Sequence, residues 1–320
     1  MGKGPLVSVI VPAHNAERFV GDTLASIQGQ TMRDWECVVV DDASSDRTVE
    51  VVRRAIAGDD RFRCCRLPFQ MGVSSARNWG YLESNRESSF VCFMDSDDRW
   101  FADSLERLLG AMERVSGGVG VHGLGEFIGP EGDRIAPGAF QAFGRKRLGL
   151  VGGRIRVWPE VAPSCFASLC WSGTVYPPGL LLVRRKGYER AGLFDEALRF
   201  SEDWDMVIRL SRLGPIGFLD EEVVQYRRHG TNATGDHLSN ARGARQVQLK
   251  TFFSRENLPS HQRILRRGWR AWERYRFREK MRMAWGALME RDFRMASRGM
   301  AAAPIHAFRS ISGYPEIIWI

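Results

Sequence analysis

The 320-residue chain predicts an α/β protein with a mainly parallel sheet covered by helices on both faces. Two observations carry this: β-branched, apolar runs alternate with segments of helical period, and polar residues follow directly on several of those runs. In such sheets ligands bind beyond the carboxyl ends of the strands. The residues after the strands are therefore expected to gather at one edge.

Val7 to Val11 is the first run and stops at Pro12. Apolar residues then recur at helical spacing from Ala16 to Ile27. Trp35 to Val40 predicts a second strand, ending in Asp41 and Asp42. Ser44, Ser45 and Asp46 are cap residues for a helix over Arg47 to Ile56. Phe62 to Leu67 predicts a third strand, Val73 to Leu82 a helix, and Phe90 to Met94 a fourth strand running into Asp95-Ser96-Asp97-Asp98. Gly117 to Pro178 is rich in Gly and Pro without a clear period, and reads as loops and irregular strands inserted over the sheet. Regular pattern returns with Leu180 to Val183, helices near Lys186 to Ala191 and over Glu202 to Leu213, and strands near Ile216 to Leu219 and Val223 to Tyr226. Beyond Asn240 the chain reads as helices, Arg245 to Phe253 and Pro259 to Leu288.

Composition narrows the function. The net charge of +8 is uneven: from Ala241 onward 17 Lys+Arg face 6 Asp+Glu, giving +11 and leaving −3 for the first 240 residues. An acidic main body does not suit nucleic acid. The six cysteines lack paired C-x-x-C spacing, so they read as free thiols of a reducing compartment. No secretory signal and no long apolar span are legible. The expected location is cytoplasmic, with any membrane contact peripheral on the inner face.

Three carboxylates in four residues at Asp95 to Asp98 repel one another unless they share a cation, and a hard ion such as Mg²⁺ or Mn²⁺ is a direct solution. A solvated turn with Asp98 or Asp103 capping the next helix is the competing reading. Asp41 and Asp42 can close a turn or accept hydrogen bonds from a base or ribose. Arg77 in the first turns of a helix works against the dipole, which an anion or a structural ion pair would explain. Glu202, Asp203 and Asp205 crowd a helix start, where the dipole alone welcomes them, while Trp204 suits a wall for a sugar ring.

Taken in order, these pieces resemble the family 2 glycosyltransferases of GT-A fold, over about Leu6 to Thr234. The pieces are Val7-Ser8-Val9-Ile10-Val11-Pro12-Ala13-His14-Asn15, Val39-Val40-Asp41-Asp42-Ala43-Ser44-Ser45-Asp46, Gly72-Val73-Ser74-Ser75-Ala76-Arg77-Asn78, Met94-Asp95-Ser96-Asp97-Asp98, Glu202-Asp203-Trp204-Asp205 and Tyr226-Arg227-Arg228-His229. The resemblance implies a nucleotide-sugar donor, UDP-linked, and a divalent Mn²⁺ or Mg²⁺ ion. It places Pro12, His14, Asn15, Asp41, Arg77 and Asp95 at the nucleotide, with His14 where the family usually has Tyr or Phe. Asp97 and His229 would serve the metal, Asp203 would be the catalytic base, and Glu202 and Trp204 would line the acceptor side. The implied reaction is a single inverting displacement onto an acceptor hydroxyl in polysaccharide or glycoconjugate synthesis. The acceptor class spans glycan, lipid-linked and protein hydroxyls.

The implied organisation is a catalytic domain over 1–235, with a nucleotide-binding half at 1–116 and an acceptor half at 117–235, followed by a basic helical extension over 236–320. Arginines interleaved with Trp269, Trp272, Tyr275, Phe277, Met281 and Trp285 leave two readings of that extension, a helix lying on an anionic membrane or one packing its tryptophans on protein. A catalytically silent nucleotide-sugar-binding module is the alternative function; it predicts loss of acidic groups, yet Asp95, Asp97 and Asp203 are all present. A sugar-nucleotide-forming nucleotidyltransferase lacks support, because no Gly-rich basic loop follows the first strand. Nothing in the sequence specifies an oligomeric state.

Overall fold

The computed structural model describes residues 4–135, 147–232 and 235–289. Its centre is an eight-stranded mixed sheet. In chain order the strands are β1 (Val7–Ala13), β2 (Trp35–Asp41), β3 (Phe62–Arg66), β4 (Phe90–Phe93), β5 (Arg99–Trp100), β6 (Gly120–Ile128), β7 (Leu148–Val151), β8 (Arg154–Val157), β9 (Leu181–Arg184) and β10 (Ile216–Arg227). The sheet order is β3-β2-β1-β4-β9-β6-β10-β5, and β7 with β8 forms a separate two-stranded sheet. Pairs β3-β2, β2-β1, β1-β4 and β6-β10 are parallel, whereas β9 and the short β5 run antiparallel to their neighbours.

Every residue of β1 is buried, as a strand covered on both faces demands, and Val, Ile and Ala satisfy that demand without a polar side chain to desolvate. The helices Val20–Gln28, Thr48–Ala55, Val73–Glu83 and Ser104–Glu113 cover the faces. Val20, Leu24 and Ile27 present one buried stripe and join Leu105, Leu108 and Met112 in the core.

Register brings the strand ends together. Ala13 pairs with Asp41, Asp41 with Arg66, and Ile10 with Phe93. Pro12-Ala13, Asp41-Asp42 and the start of Asp95 to Asp98 therefore leave the sheet at one edge.

The stretch from Gly117 to Pro178 departs from the expected irregularity, because β6 is a nine-residue strand deep in the sheet. Its glycines at 120, 123 and 125 and its polar His122 and Glu126 erase the strand pattern in the sequence. Tertiary packing supplies the reason at Gly123, where an added Cβ would stand 2.6 Å from Val223 Cγ2 and 3.0 Å from the Glu221 carbonyl oxygen. The partner strand bulges there, with register shifts between Phe218 and Glu222 and again before Val224. The two expected strands at Ile216 and Val223 are thus one strand interrupted by a bulge. Gly123→Ala should destabilise the protein by about 1–3 kcal/mol through overpacking, read as a lower urea midpoint; an unchanged midpoint would show that the strand relaxes freely.

The chain divides into two compact units. The first comprises Met1–Lys146, Glu160–Cys165 and Gly173–Val247, and the second Arg147–Pro159, Phe166–Ser172 and Gln248–Ile320, each within its described residues. In the second, Trp269 and Trp272 of the helix Pro259–Met289 are buried, and the Trp272 ring lies 6.4 Å from that of Trp171. Among the described residues no helix is long and apolar enough to cross a membrane.

Candidate active site

A cavity of about 610 Å³ opens at the strand-end edge of the first unit. Residues from well-separated parts of the chain line it, among them Pro12 at the end of β1 and His14 just after it, Asp42 after β2, Asp95 and Asp97 after β4, and Glu202, Asp203 and Trp204 at the start of the helix Glu202–Ser211.

Three non-glycine residues among those described have left-handed backbone, Asn15 (φ 49°), Ala43 (φ 53°) and Ser201 (φ 63°). Each sits one or two residues from a cavity-lining group, and each conformation costs about 1–2 kcal/mol for an L-residue. Such strain gathers where a site dictates the direction of side chains.

At the β1 and β2 ends, His14 Nδ1–H donates to the Asp42 carbonyl at 2.7 Å. Asn15 Oδ1 accepts from the Ser45 N–H at 2.8 Å, while the Asn15 N–H donates to Ser44 Oγ. Asn15 thereby ties the two strand ends together and does not line the cavity. Asp42 accepts from the Met71 and Gly72 N–H groups at 2.7 and 2.8 Å. Asp41 lies fully buried behind this edge, with Oδ2 accepting from Ser44 N–H and 3.3 Å from Arg66 Nε, and with no hydrogen-bond partner for Oδ1 among the described residues.

Arg77 is almost wholly buried and bridges two carboxylates, Nη2 to Asp95 Oδ1 and Nη1 to Glu202 Oε1, each at 2.7 Å. This pairing answers the question posed by a cation in a helix's first turns: the charge serves two acids from distant parts of the chain. Burial would lower the guanidinium's pKa, but the adjacent Asp95 and Glu202 outweigh it and push the value up. For Asp95 the balance is opposite, since burial lifts its carboxyl above the usual range although Arg77 opposes the shift.

The acidic triplet separates into different roles. Asp98 is buried, and its Oδ1 accepts from the Arg227 N–H at 2.9 Å. It neither faces the cavity nor caps the following helix. Burial, followed by the charges of Asp97 and Asp95, pushes its carboxyl well up. Arg227, also buried, donates from Nε to the Asp97 carbonyl and from Nη2 to Asp22, so the end of β10 holds the Asp97 loop in place. Asp103, the other capping candidate, pairs with Arg107 instead.

Asp97 Oδ2 then meets His229 Nε2 at 2.9 Å. On its other side His229 Nδ1 lies 2.9 Å from Thr231 Oγ1, and the ring packs 4.6 Å from that of Phe19. The carboxylate only accepts, so the contact is a hydrogen bond from Nε2–H; with the proton on Nδ1 instead, Nε2 and Asp97 would both offer lone pairs to a shared cation. Among the described residues no group of three His, Cys, Asp or Glu could hold a metal. Two protein donors nevertheless fit Mg²⁺ or Mn²⁺ at a phosphate site, where phosphate oxygens and water complete the shell.

Asp203 is half-buried at the helix start, with Oδ1 accepting from the Trp204 N–H at 2.7 Å. Burial, then the neighbouring Glu202 charge, pushes its carboxyl up to about 7. Below it lies a small apolar cavity bordered by Phe93, Leu181, Met206 and Val207, consistent with that desolvation. Trp204 is buried and packs beside Gly173 at the cavity wall.

Several lining residues escaped the sequence reading, among them Gln70, Tyr176, Arg199 and Asn232. Asn232 Oδ1 accepts from the His229 N–H, and Nδ2 donates to the Arg227 carbonyl. Its signal was only a turn residue three places after His229.

Known proteins give this geometry a family. The family model for Glycosyl transferase family 2 matches residues 8–189. The chain belongs to that family and is a glycosyltransferase with a GT-A-type fold. The UDP-Glc:alpha-D-GlcNAc-diphosphoundecaprenol beta-1,3-glucosyltransferase WfgD of Escherichia coli is 36% identical over 107 residues, a match spanning 33% of this chain and 41% of that relative's length. Among solved structures, S. aureus TarS 1-349 in complex with UDP-GlcNAc aligns at TM-score 0.62 and 15% identity, covering 92% of this chain and 90% of TarS 1-349. Mannosyltransferase PcManGT from Pyrobaculum calidifontis, in complex with GDP-Man and Mn²⁺, aligns at TM-score 0.64 and 19% identity, covering 97% of this chain and 79% of that one.

Proposed function

We propose that the chain transfers a sugar from a UDP-sugar to an acceptor hydroxyl with inversion and with help from a divalent ion, in polysaccharide or glycoconjugate synthesis. The observation that carries this reading is one cavity lined by both Asp97, paired with His229, and Asp203. A metal-phosphate site and a proton acceptor are the two functions such a displacement needs. The donors bound by TarS and PcManGT, UDP-GlcNAc and GDP-Man, are of the same chemical class.

In this reading Pro12 and His14 form the base end of the donor site, backed by Asn15, which ties the strand ends, and by Asp41, buried behind Asp42. Asp95, oriented by Arg77, faces the ribose and diphosphate. Glu202, held by the same guanidinium, and Trp204 border the acceptor. Asp97 and His229 would hold Mg²⁺ or Mn²⁺, which would supply charge stabilisation to the departing diphosphate. Asp203 takes the acceptor hydroxyl proton as that oxygen bonds to the anomeric carbon, and the bond from that carbon to the diphosphate breaks. One attack from the opposite face inverts the anomer, and a single proton-accepting carboxylate suffices. We assign this chemistry to residues 1–235, joined at the cavity by Asn240 and Ala244 of the basic extension. Peripheral membrane contact of that extension is part of the same proposal, motivated by exposed Met281, Met283 and Trp285 beside Arg278 and Arg282.

Asp97→Ala should weaken metal-supported UDP binding by about tenfold or more, as loss of one of two protein donors implies. Titration calorimetry with UDP and Mn²⁺ checks it, and an unchanged affinity would remove Asp97 from the metal. Product NMR showing a retained anomeric configuration would overturn the single displacement.

A further inference from the structure

We propose that the acceptor is anionic, a glycan or polyol carrying a carboxylate or phosphate, and that Arg199 is its counter-ion. This rests on the reading of Asp203 as the base.

The charges on the cavity wall are mostly spoken for. Asp42 is bonded to two backbone N–H groups, and Arg77 is taken up by Asp95 and Glu202. Arg199 also lines the cavity, is exposed, and has no ion pair or side-chain hydrogen bond among the described residues. It is the one lining guanidinium without a partner there. A cation kept free beside several carboxylates fits a site that must admit a further negative charge, since an anionic acceptor approaching Asp97 and Asp203 is otherwise repelled.

Its position in the chain places it on the acceptor side. Residues 199 to 204 all line the cavity, so Arg199 shares a short segment with Asp203 and Trp204, while the donor-side residues come from the ends of β1, β2 and β4. The segment is anchored at both flanks. Leu198 is buried, and Phe200 lies against the helix His237–Phe253 at Gly243, where a Cβ would stand 2.7 Å from Phe200 Cβ and 2.8 Å from its carbonyl oxygen. The guanidinium therefore projects from a held backbone, and Arg suits planar recognition of carboxylate or phosphate.

The test uses the full chain, a sugar nucleotide that stabilises the wild type thermally, and two matched acceptor pairs. Octyl glucuronide against octyl glucoside probes the carboxylate, and a glycerol phosphate oligomer against oligoglycerol probes the phosphate. The expected result is a lower acceptor KM for the charged member of one pair, raised about tenfold or more in Arg199→Gln and less in Arg199→Lys, as loss of a charge-assisted hydrogen bond implies. Donor KM should stay within about twofold, and added salt should raise the charged acceptor's KM more in the wild type than in Arg199→Gln. Equal use of neutral and charged acceptors would overturn the proposal, as would an Arg199→Gln effect confined to donor KM. A wild type stabilised by no sugar nucleotide would instead remove the donor-binding reading beneath it.

Discussion

Replacing Asp203 by Asn is expected to lower turnover by about 10²–10⁴-fold, the usual contribution of a positioned general base. The amide keeps the side chain's shape and its acceptor for the Trp204 N–H, so the donor should still bind with near wild-type affinity by calorimetry. Normal turnover in the variant would end the assignment. The pH profile offers an independent check. A base must be ionised, and burial with the Glu202 charge raises this carboxyl to about 7. Wild-type turnover should therefore rise with pH through about 7, and the residual rate of the variant should lose that limb.

Stability should move in the opposite sense. A carboxyl whose folded value lies above its unfolded one binds more protons when folded, so its contribution is complete below the unfolded value near 4 and is lost as pH rises through about 7. Without donor and metal, Asp203→Asn should consequently gain stability over the wild type at pH 8 and little at pH 4. A thermal-melt series across pH distinguishes this from a merely damaged fold, which would be weaker at every pH.

Arg77→Met carries the second large effect. Removing one partner of a buried ion pair leaves the others uncompensated and typically costs about 3–5 kcal/mol. Here Asp95 and Glu202, both bonded to that guanidinium at 2.7 Å, would face each other and Asp203 with no cation between them. The expected result is a fall of that size in denaturant stability, larger at pH 8 than at pH 5, because protons can replace the lost charge at low pH. A change below about 0.5 kcal/mol would mean that the bridge does not hold the two acids. Met fills much of the vacated volume, so the loss reports charge more than a cavity.

Much of the nucleotide half was legible because its elements obey local rules. β1 and β2 are short β-branched runs, Pro12-Ala13-His14-Asn15 and Asp41-Asp42 close them, and the intervening helices repeat at 3.6 residues. The second half was less legible. β6 carries three glycines and two polar residues, with no room for a Cβ at Gly120 and Gly123, and the bulge in β10 makes one strand look like two. These are consequences of what packs across the sheet, which the local pattern does not record.

The site shows the same division. By itself the sequence determined which residue types leave the sheet edge: Pro12-Ala13-His14-Asn15, Asp41-Asp42, Asp95 to Asp98, and the acidic helix start at Glu202. Only the tertiary structure decided what each one does. It spent Asp98 on the Arg227 backbone, buried Asp41 behind Asp42, used Arg77 to join Asp95 to Glu202, and brought His229 to Asp97 across more than a hundred residues of chain. The physical reason is that a carboxylate's role depends on burial and on which charge or N–H lies within about 3 Å, and those neighbours come from strands and helices remote in sequence.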